Sequence, residues 1–199
     1  MLNLKKIAIT GDIASGKSTV SDYLRSKNAY IVNADEIGHQ LLIPQTTTGQ
    51  QIIDLLGNAA LTNGNFDRKK IAAIVFANKD KLQTLEKIIH PLIIQDIEVQ
   101  YEKVKKDDYS YFIVDIPLLF EMKQENFYDF IILMQTSEKL GKMRFENRGF
   151  APGEYRLRQQ NLLPIEKKKN KADFIINNNK SVSDLYDQVE KFIQKINQN

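Results

Sequence analysis

The stretch KKIAITGDIASGKSTV, residues 5–20, decides the fold. Residues 6–10 form a short apolar run that stops at glycine, which reads as a buried strand. A helix is predicted over residues 16–26. Between them GDIASGKS satisfies G-x-x-x-x-G-K-[ST] in the strand–loop–helix context that gives the pattern its meaning. Gly11 and Gly16 permit backbone angles and a close approach that a side chain would obstruct. The backbone N–H groups of Gly11, Asp12, Ile13, Ala14, Ser15, Gly16, Lys17, Ser18 and Thr19 are then available to face phosphate, aided by the helix N-terminus. Lys17 can reach the outer phosphates and the Ser18 hydroxyl can bind Mg²⁺.

An acid is out of place in such a loop. Repulsion between the Asp12 carboxylate and a phosphate at ~4 Å is about 4 kcal/mol even at intermediate dielectric. The side chain is therefore expected to point outward, to a substrate, to a basic residue of a neighbouring segment, or to water. Ala14 implies that the middle of the loop does not need positive φ there, because a Cβ makes it costly.

Working outward, the apolar runs AYIVN (29–33), YFIVDIP (111–117), DFIILMQ (129–135) and DFIIN (173–177) read as further strands, and residues 183–196 as a closing amphipathic helix. Such near-continuous apolar strands, alternating with helices, indicate an α/β fold: a five-stranded parallel sheet with helices on both faces. Residues 36–108 contain no convincing strand and read as an inserted helical lobe, with helices over 50–56, 68–77 and 80–105. His90-Pro91 is expected to kink or end the last of these. Residues 147–171 form a second, very polar irregular region. Within it EKKKNK (166–171) is either a ligand-facing patch or a solvated helix face, the latter being the commoner use of a charge run.

Composition bounds the function. The 199 residues suit one domain, and the formal charge of +3 suits anionic small molecules. Basic residues are interleaved with acids, which gives no argument for nucleic acid. With no cysteine and only two histidines, disulfides, thiolate metal sites and a cysteine nucleophile are excluded and a histidine-rich metal site is disfavoured. MLNLKK has no apolar signal core, and no run approaches the ~18 apolar residues of a membrane span. A cytoplasmic protein is the expectation, with no membrane partner.

Two acids fall on the sheet edge where open parallel sheets bind ligands. Asp35, after the second strand, could accept a proton from a substrate hydroxyl or cap a helix. Asp115, ending the run YFIV, could hold Mg²⁺ through water or cap a turn before Pro117. PLLFE then supplies three apolar residues, among them Leu118, as a packed wall near the site. Arg144 and Arg148, four apart on a predicted helix, share one face, and Arg156 and Arg158 follow a Gly/Pro turn. Arginines on a mobile segment are suited to neutralising phosphoryl-transfer charge. His90 reads as structural on residues alone, closing a helix beside Pro91.

These residues resemble the dephospho-coenzyme A kinases over nearly the whole chain: ITGDIASGKSTV, NADEIGHQLL, FDRKKIAAIVF, LEKIIHPLI, VDIPLLFE, RFENR and ADFIINNN. The resemblance implies a three-layer P-loop NTPase fold with a helical substrate lobe at 36–108 and a lid at about 147–171. It implies an ATP-dependent kinase acting on the ribose 3′-hydroxyl of dephospho-coenzyme A, with Mg²⁺ as cofactor, and a monomer or weak homo-oligomer. By position it makes Asp35 the general base and substrate contact. It places Arg68, His90, Pro91 and Leu118 at the substrate, Arg148 as the lid arginine by the phosphates, and Asn178 near the adenine. The family pattern GGIGSGKS is broken here by Asp12 and Ala14, and DAD by Asn33. A related kinase of nucleoside monophosphates is the alternative. A nucleotide-switch protein fits less well, because NKAD (170–173) precedes a strand, whereas a guanine reader should follow one.

Overall fold

The computed structural model describes residues 4–198. In chain order its elements are β1 (Lys5–Gly11), α1 (Lys17–Arg25), β2 (Ala29–Asn33), α2 (Ala34–Gln40), α3 (Thr47–Leu56), β3 (Leu61–Thr62), β4 (Asn65–Phe66), α4 (Arg68–Phe76) and α5 (Lys79–Val104). There follow β5 (Tyr111–Asp115), β6 (Phe130–Gln135), α6 (Glu138–Glu146), α7 (Glu154–Gln159), α8 (Ile165–Lys169), β7 (Phe174–Asn177) and α9 (Val182–Asn197). The chain divides into two compact units: Met1–Asn33 with Lys103–Asn199, and Ala34–Glu102.

The first unit is an α/β fold around a five-stranded sheet of order β2-β5-β1-β6-β7, every neighbouring pair parallel. β1 lies in the middle, buried from Lys6 to Gly11, which is why its sequence is continuously apolar rather than alternating. After β1 the chain crosses to one side of it, and after β5 to the other. That reversal opens a crevice at the carboxyl ends of the strands. One face of the sheet contributes Ile7, Ile9, Ile113, Ile132 and Met134 to a core closed by Val20 and Leu24 of α1 and by α9. Leu185, Val189, Phe192 and Ile196 of α9 recur at helical spacing and all enter that core. Ser181 and Asp184 form a reciprocal capping box that fixes where α9 begins.

The second unit packs Ile52, Leu56, Ala60, Ile71, Val75 and Leu85 into its own core, with Phe66, Leu82 and Ile89 against it. Two expectations are revised here. First, the region is not free of strands: β3 and β4 form a hairpin with Thr62 opposite Asn65. Its turn is Asn63-Gly64, with φ 50° and 76°, and the pair Asn-Gly supplies the two positive φ angles that a two-residue hairpin requires. Second, of the kink or end expected at His90-Pro91, the end is excluded: α5 runs through Pro91 as one 26-residue helix. In the first unit, the polar region 147–171 is not irregular throughout, since it holds α7 and α8.

Ile52 is fully buried in the second unit's core. Ile52→Ala is expected to remove about 2–5 kcal/mol of stability, read as a lower urea midpoint.

Candidate active site

Gly11 ends β1 in register with Met134 of β6. A Cβ at Gly11 would lie 2.0 Å from the Met134 carbonyl oxygen, so only glycine allows this approach. The same oxygen accepts the Asp12 N–H at 3.1 Å, and the Ser15 N–H then folds back onto the Asp12 carbonyl at 3.3 Å. The loop passes through positive φ at both Ala14 (53°) and Gly16 (94°). The expectation for Ala14 is thus overturned: the conformation is required, and the alanine adopts it with its side chain buried.

α1 opens at Lys17, so its first N–H groups have no carbonyl behind them within the helix, and no side chain caps them. The Lys17 ammonium group donates to the Asp12 carbonyl at 3.1 Å. Behind the loop, the Asn178 amide donates to the Ser15 carbonyl at 2.8 Å, and a Cβ at Gly16 would meet that amide nitrogen at 2.2 Å. The structure therefore sets Asn178, buried, as a brace on the loop backbone. Arg144 donates to the Asn178 carbonyl at 3.1 Å and to the Thr136 hydroxyl at 3.4 Å.

Asp12 is turned sideways. Its carboxylate accepts a long hydrogen bond, 3.5 Å, from the Thr136 N–H and is half-buried rather than fully in solvent. Burial pushes its carboxyl above the ordinary range, against the opposite pull of the Thr136 N–H and of Lys168, Lys17 and Lys169. Of the outward options, a basic neighbour is at hand: the charges of Lys168 and Lys169, on a helix of the region 147–171, act on the carboxylate.

That helix, α8, corrects a further expectation. Lys168 is not solvated: it is only 1% exposed, and its ammonium group pairs with Glu121 at 2.8 Å. The same Glu121 oxygen accepts the Leu163 N–H at 2.8 Å. The EKKKNK run thus has one residue anchored inside, which no feature of four near-identical lysines reveals. Glu121 ends the PLLFE segment, in which Leu118 is half-buried while Leu119 and Phe120 are buried as a wall.

Asp115 is the last residue of β5, opposite Ile9 of β1 and Asn33 of β2, and is buried. The Thr10 hydroxyl donates to the Pro117 carbonyl at 3.1 Å, holding the turn after β5 to β1. The Ser18 hydroxyl and the Asp115 carboxylate could supply a donor set of oxygens only. That suits Mg²⁺, which keeps several waters and takes phosphate oxygens rather than demanding a protein cage. No group of three or more His, Cys, Asp or Glu among the described residues is arranged to hold a metal.

Arg144 and Arg148 do not share a helix face, because α6 ends at Glu146 and Arg148 stands exposed in the turn leading to Gly149. Arg158 pairs with Glu154 at 2.7 Å, and Arg156 lines a cavity with Glu138, Lys142, Tyr155 and Gln160.

In the second unit Asp35 occupies the first turn of α2 and is exposed, as are Glu36 and Arg68. All three act electrostatically on His39, whose pKa is lowered, chiefly by burial and then by the Arg68 charge. The structure thus brings Asp35 and Arg68 into one polar group with a histidine that sequence reasoning did not single out. His90 is half-buried within α5 beside an exposed Pro91, and its pKa is lowered by burial.

A phosphate cradle at the carboxyl edge of a parallel sheet, with an acid at the adjoining strand end, defines a P-loop kinase-like nucleotide enzyme. The family model for dephospho-CoA kinase matches residues 5–184. The dephospho-CoA kinase of Chlamydia pneumoniae is 37% identical over 194 residues, 96% of each chain. Among solved structures, a dephospho-CoA kinase from Campylobacter jejuni superposes with a TM-score of 0.69 at 32% identity over 96% of each chain. A Thermus thermophilus protein superposes with a TM-score of 0.79 at 26% identity, over 97% of this chain and 98% of that one. The chain belongs to the dephospho-CoA kinase family, ATP-dependent enzymes of the final step of coenzyme A biosynthesis.

Two outcomes follow from the charges described. Lys168→Met strands the half-buried Glu121 carboxylate and should cost about 2–3 kcal/mol in urea unfolding, with Glu121→Gln in the same chain recovering much of the loss. Burial makes folded His90 a weaker base than the ordinary 6.5 of an unfolded histidine. Its contribution to stability is therefore complete above that pH and declines as pH falls below it. Comparing urea midpoints at pH 7.5 and 5.5, His90→Asn should show a smaller acid loss than the wild type.

Proposed function

We propose that this chain transfers the γ-phosphoryl group of ATP to the ribose 3′-hydroxyl of dephospho-coenzyme A, giving coenzyme A and ADP. The observation that carries the reading is the loop of residues 11–18, preset as a phosphate cradle in a chain of this family. The β- and γ-phosphates lie against its N–H groups and the N-terminus of α1. Lys17 leaves the Asp12 carbonyl for the outer phosphates. Ser18, and Asp115 through water, would hold Mg²⁺, which supplies neutralisation of the phosphate charge.

Asp35 orients the 3′-hydroxyl and accepts its proton, a role favoured by its exposure in the first turn of α2. Arg68, His90, Pro91 and Leu118 contact the acceptor. The low proton affinity of His90 makes it a neutral hydrogen-bonding partner near pH 7. Residues 147–171 act as the lid, and Arg148, exposed at its start, adds positive charge to the transferring group. Exclusion of water by the lid limits wasteful hydrolysis of ATP. The enzyme works in the cytoplasm as a monomer or weak homo-oligomer. No helix among the described residues is long and apolar enough to cross a membrane.

Asp35→Asn is expected to lower kcat by roughly 10²-fold or more while ATP affinity stays nearly intact. Turnover at the wild-type rate would remove Asp35 from the role of base. NMR of the product, with the new phosphate on the 3′ oxygen, tests the acceptor assignment. Preferential phosphorylation of a nucleoside monophosphate would overturn it.

A further inference from the structure

The tip of the phosphate loop is enclosed by aromatic rings. Ala14 is 8% exposed and packs in a cluster with Phe145 of α6 and Tyr155 of α7, with Ile13 and Phe150 against them. Phe145 and Phe150 stack at 4.3 Å between centroids with planes 10° apart, and Tyr155 meets Phe145 edge-on at 5.7 Å. The Arg158 guanidinium lies over Phe150 at 4.7 Å and over Phe145 at 5.3 Å, held there by its pairing with Glu154. α6 approaches closely because Gly141 has no side chain. A Cβ there would meet the Tyr155 hydroxyl at 2.8 Å and the Ile13 carbonyl at 3.2 Å.

Ala14 is also a non-glycine residue of the loop with positive φ, 53°. An alanine in that region is strained and persists only where its surroundings over-determine it. The groups that over-determine it are those rings, and they belong to the segment that follows β6, not to the loop. The loop's phosphate-facing N–H groups are correctly aimed only while Ala14 stays in this conformation.

We propose that Tyr155, with Phe145 and Phe150, is a positioning residue for ATP: the aromatic cluster clamps Ala14 in its left-handed conformation and thereby keeps the cradle preset. The inference rests on the reading that ATP occupies the loop. The clamp makes nucleotide affinity depend on residues that do not themselves touch the phosphates. Release of α7 would leave the Ala14 strain uncompensated, so that loosening of this segment and loosening of the loop are one event.

The test is a double-mutant cycle between Tyr155 and Ala14. ATP dissociation constants, KM for both substrates and thermal midpoints are measured for the wild type, Tyr155→Ala, Ala14→Gly and the double variant, with Tyr155→Phe as the conservative control. Glycine accepts positive φ without support, so the cost of losing Tyr155 should be large in the wild-type loop and small in the Ala14→Gly background. The expected result is a loss of roughly tenfold in ATP affinity in the first case and under about threefold in the second. KM for dephospho-coenzyme A should change little, and Tyr155→Phe should keep most of the affinity. Equal losses in the two backgrounds would overturn the clamp, as would a lower thermal midpoint with ATP affinity unchanged. If Tyr155→Ala does not fold, Phe150→Ala, at the half-buried rim of the cluster, replaces it in the same cycle. A wild-type protein that does not bind ATP would sink the underlying reading. Wild-type binding with equal losses sinks only the clamp.

Discussion

The contact between Gly11 and the Met134 carbonyl is the constraint from which the site is built. β1 can pair with β6 up to its last residue and still turn into the loop, because nothing projects from Gly11 at that point. The Met134 oxygen then takes the Asp12 N–H, so the loop starts from a fixed atom of the sheet rather than from a flexible turn. Any side chain at Gly11 would push apart the two central strands and tilt the cradle with them. The start of the loop at the sheet edge, and with it the place where α1 begins, follows from that close approach.

Three further supports meet the loop from different parts of the chain. Asn178, after β7, holds the Ser15 carbonyl; Thr136, after β6, holds the Asp12 carboxylate; the rings of α6 and α7 hold Ala14. Donors fixed in advance need no reorganisation when charge develops on a phosphate, which is where such a site gains its advantage over water. The acid in the loop fits this arrangement. Turned toward Thr136 and into the field of Lys168 and Lys169, Asp12 leaves its backbone, not its charge, to the cradle.

Much of this was legible beforehand. The phosphate loop, the five parallel strands and the closing helix each arise from a local pattern: glycine spacing, continuous apolar runs, and apolar residues at helical period. The Asn-Gly hairpin was missed, because its flanking strands are two residues each, too short for periodicity to register. Proline did not end α5, which continues through Pro91 although the ring removes one backbone donor. Arg144 and Arg148 looked alike by spacing, yet the end of α6 falls between them and separates their environments.

What the sequence by itself determined is the chemistry available: a phosphate cradle, acids at strand ends, a cluster of basic residues beyond β6, and kinship with one kinase family. Tertiary structure decided which of several similar residues does what. Lys168 rather than Lys167 or Lys169 is buried against Glu121, Asn178 braces the loop, and Ala14 is held at an angle its side chain resists. The physical reason is the same in each case. Local sequence sets backbone preference within a few residues, whereas burial and pairing are set by neighbours dozens of residues away, such as Glu121 for Lys168 and Tyr155 for Ala14.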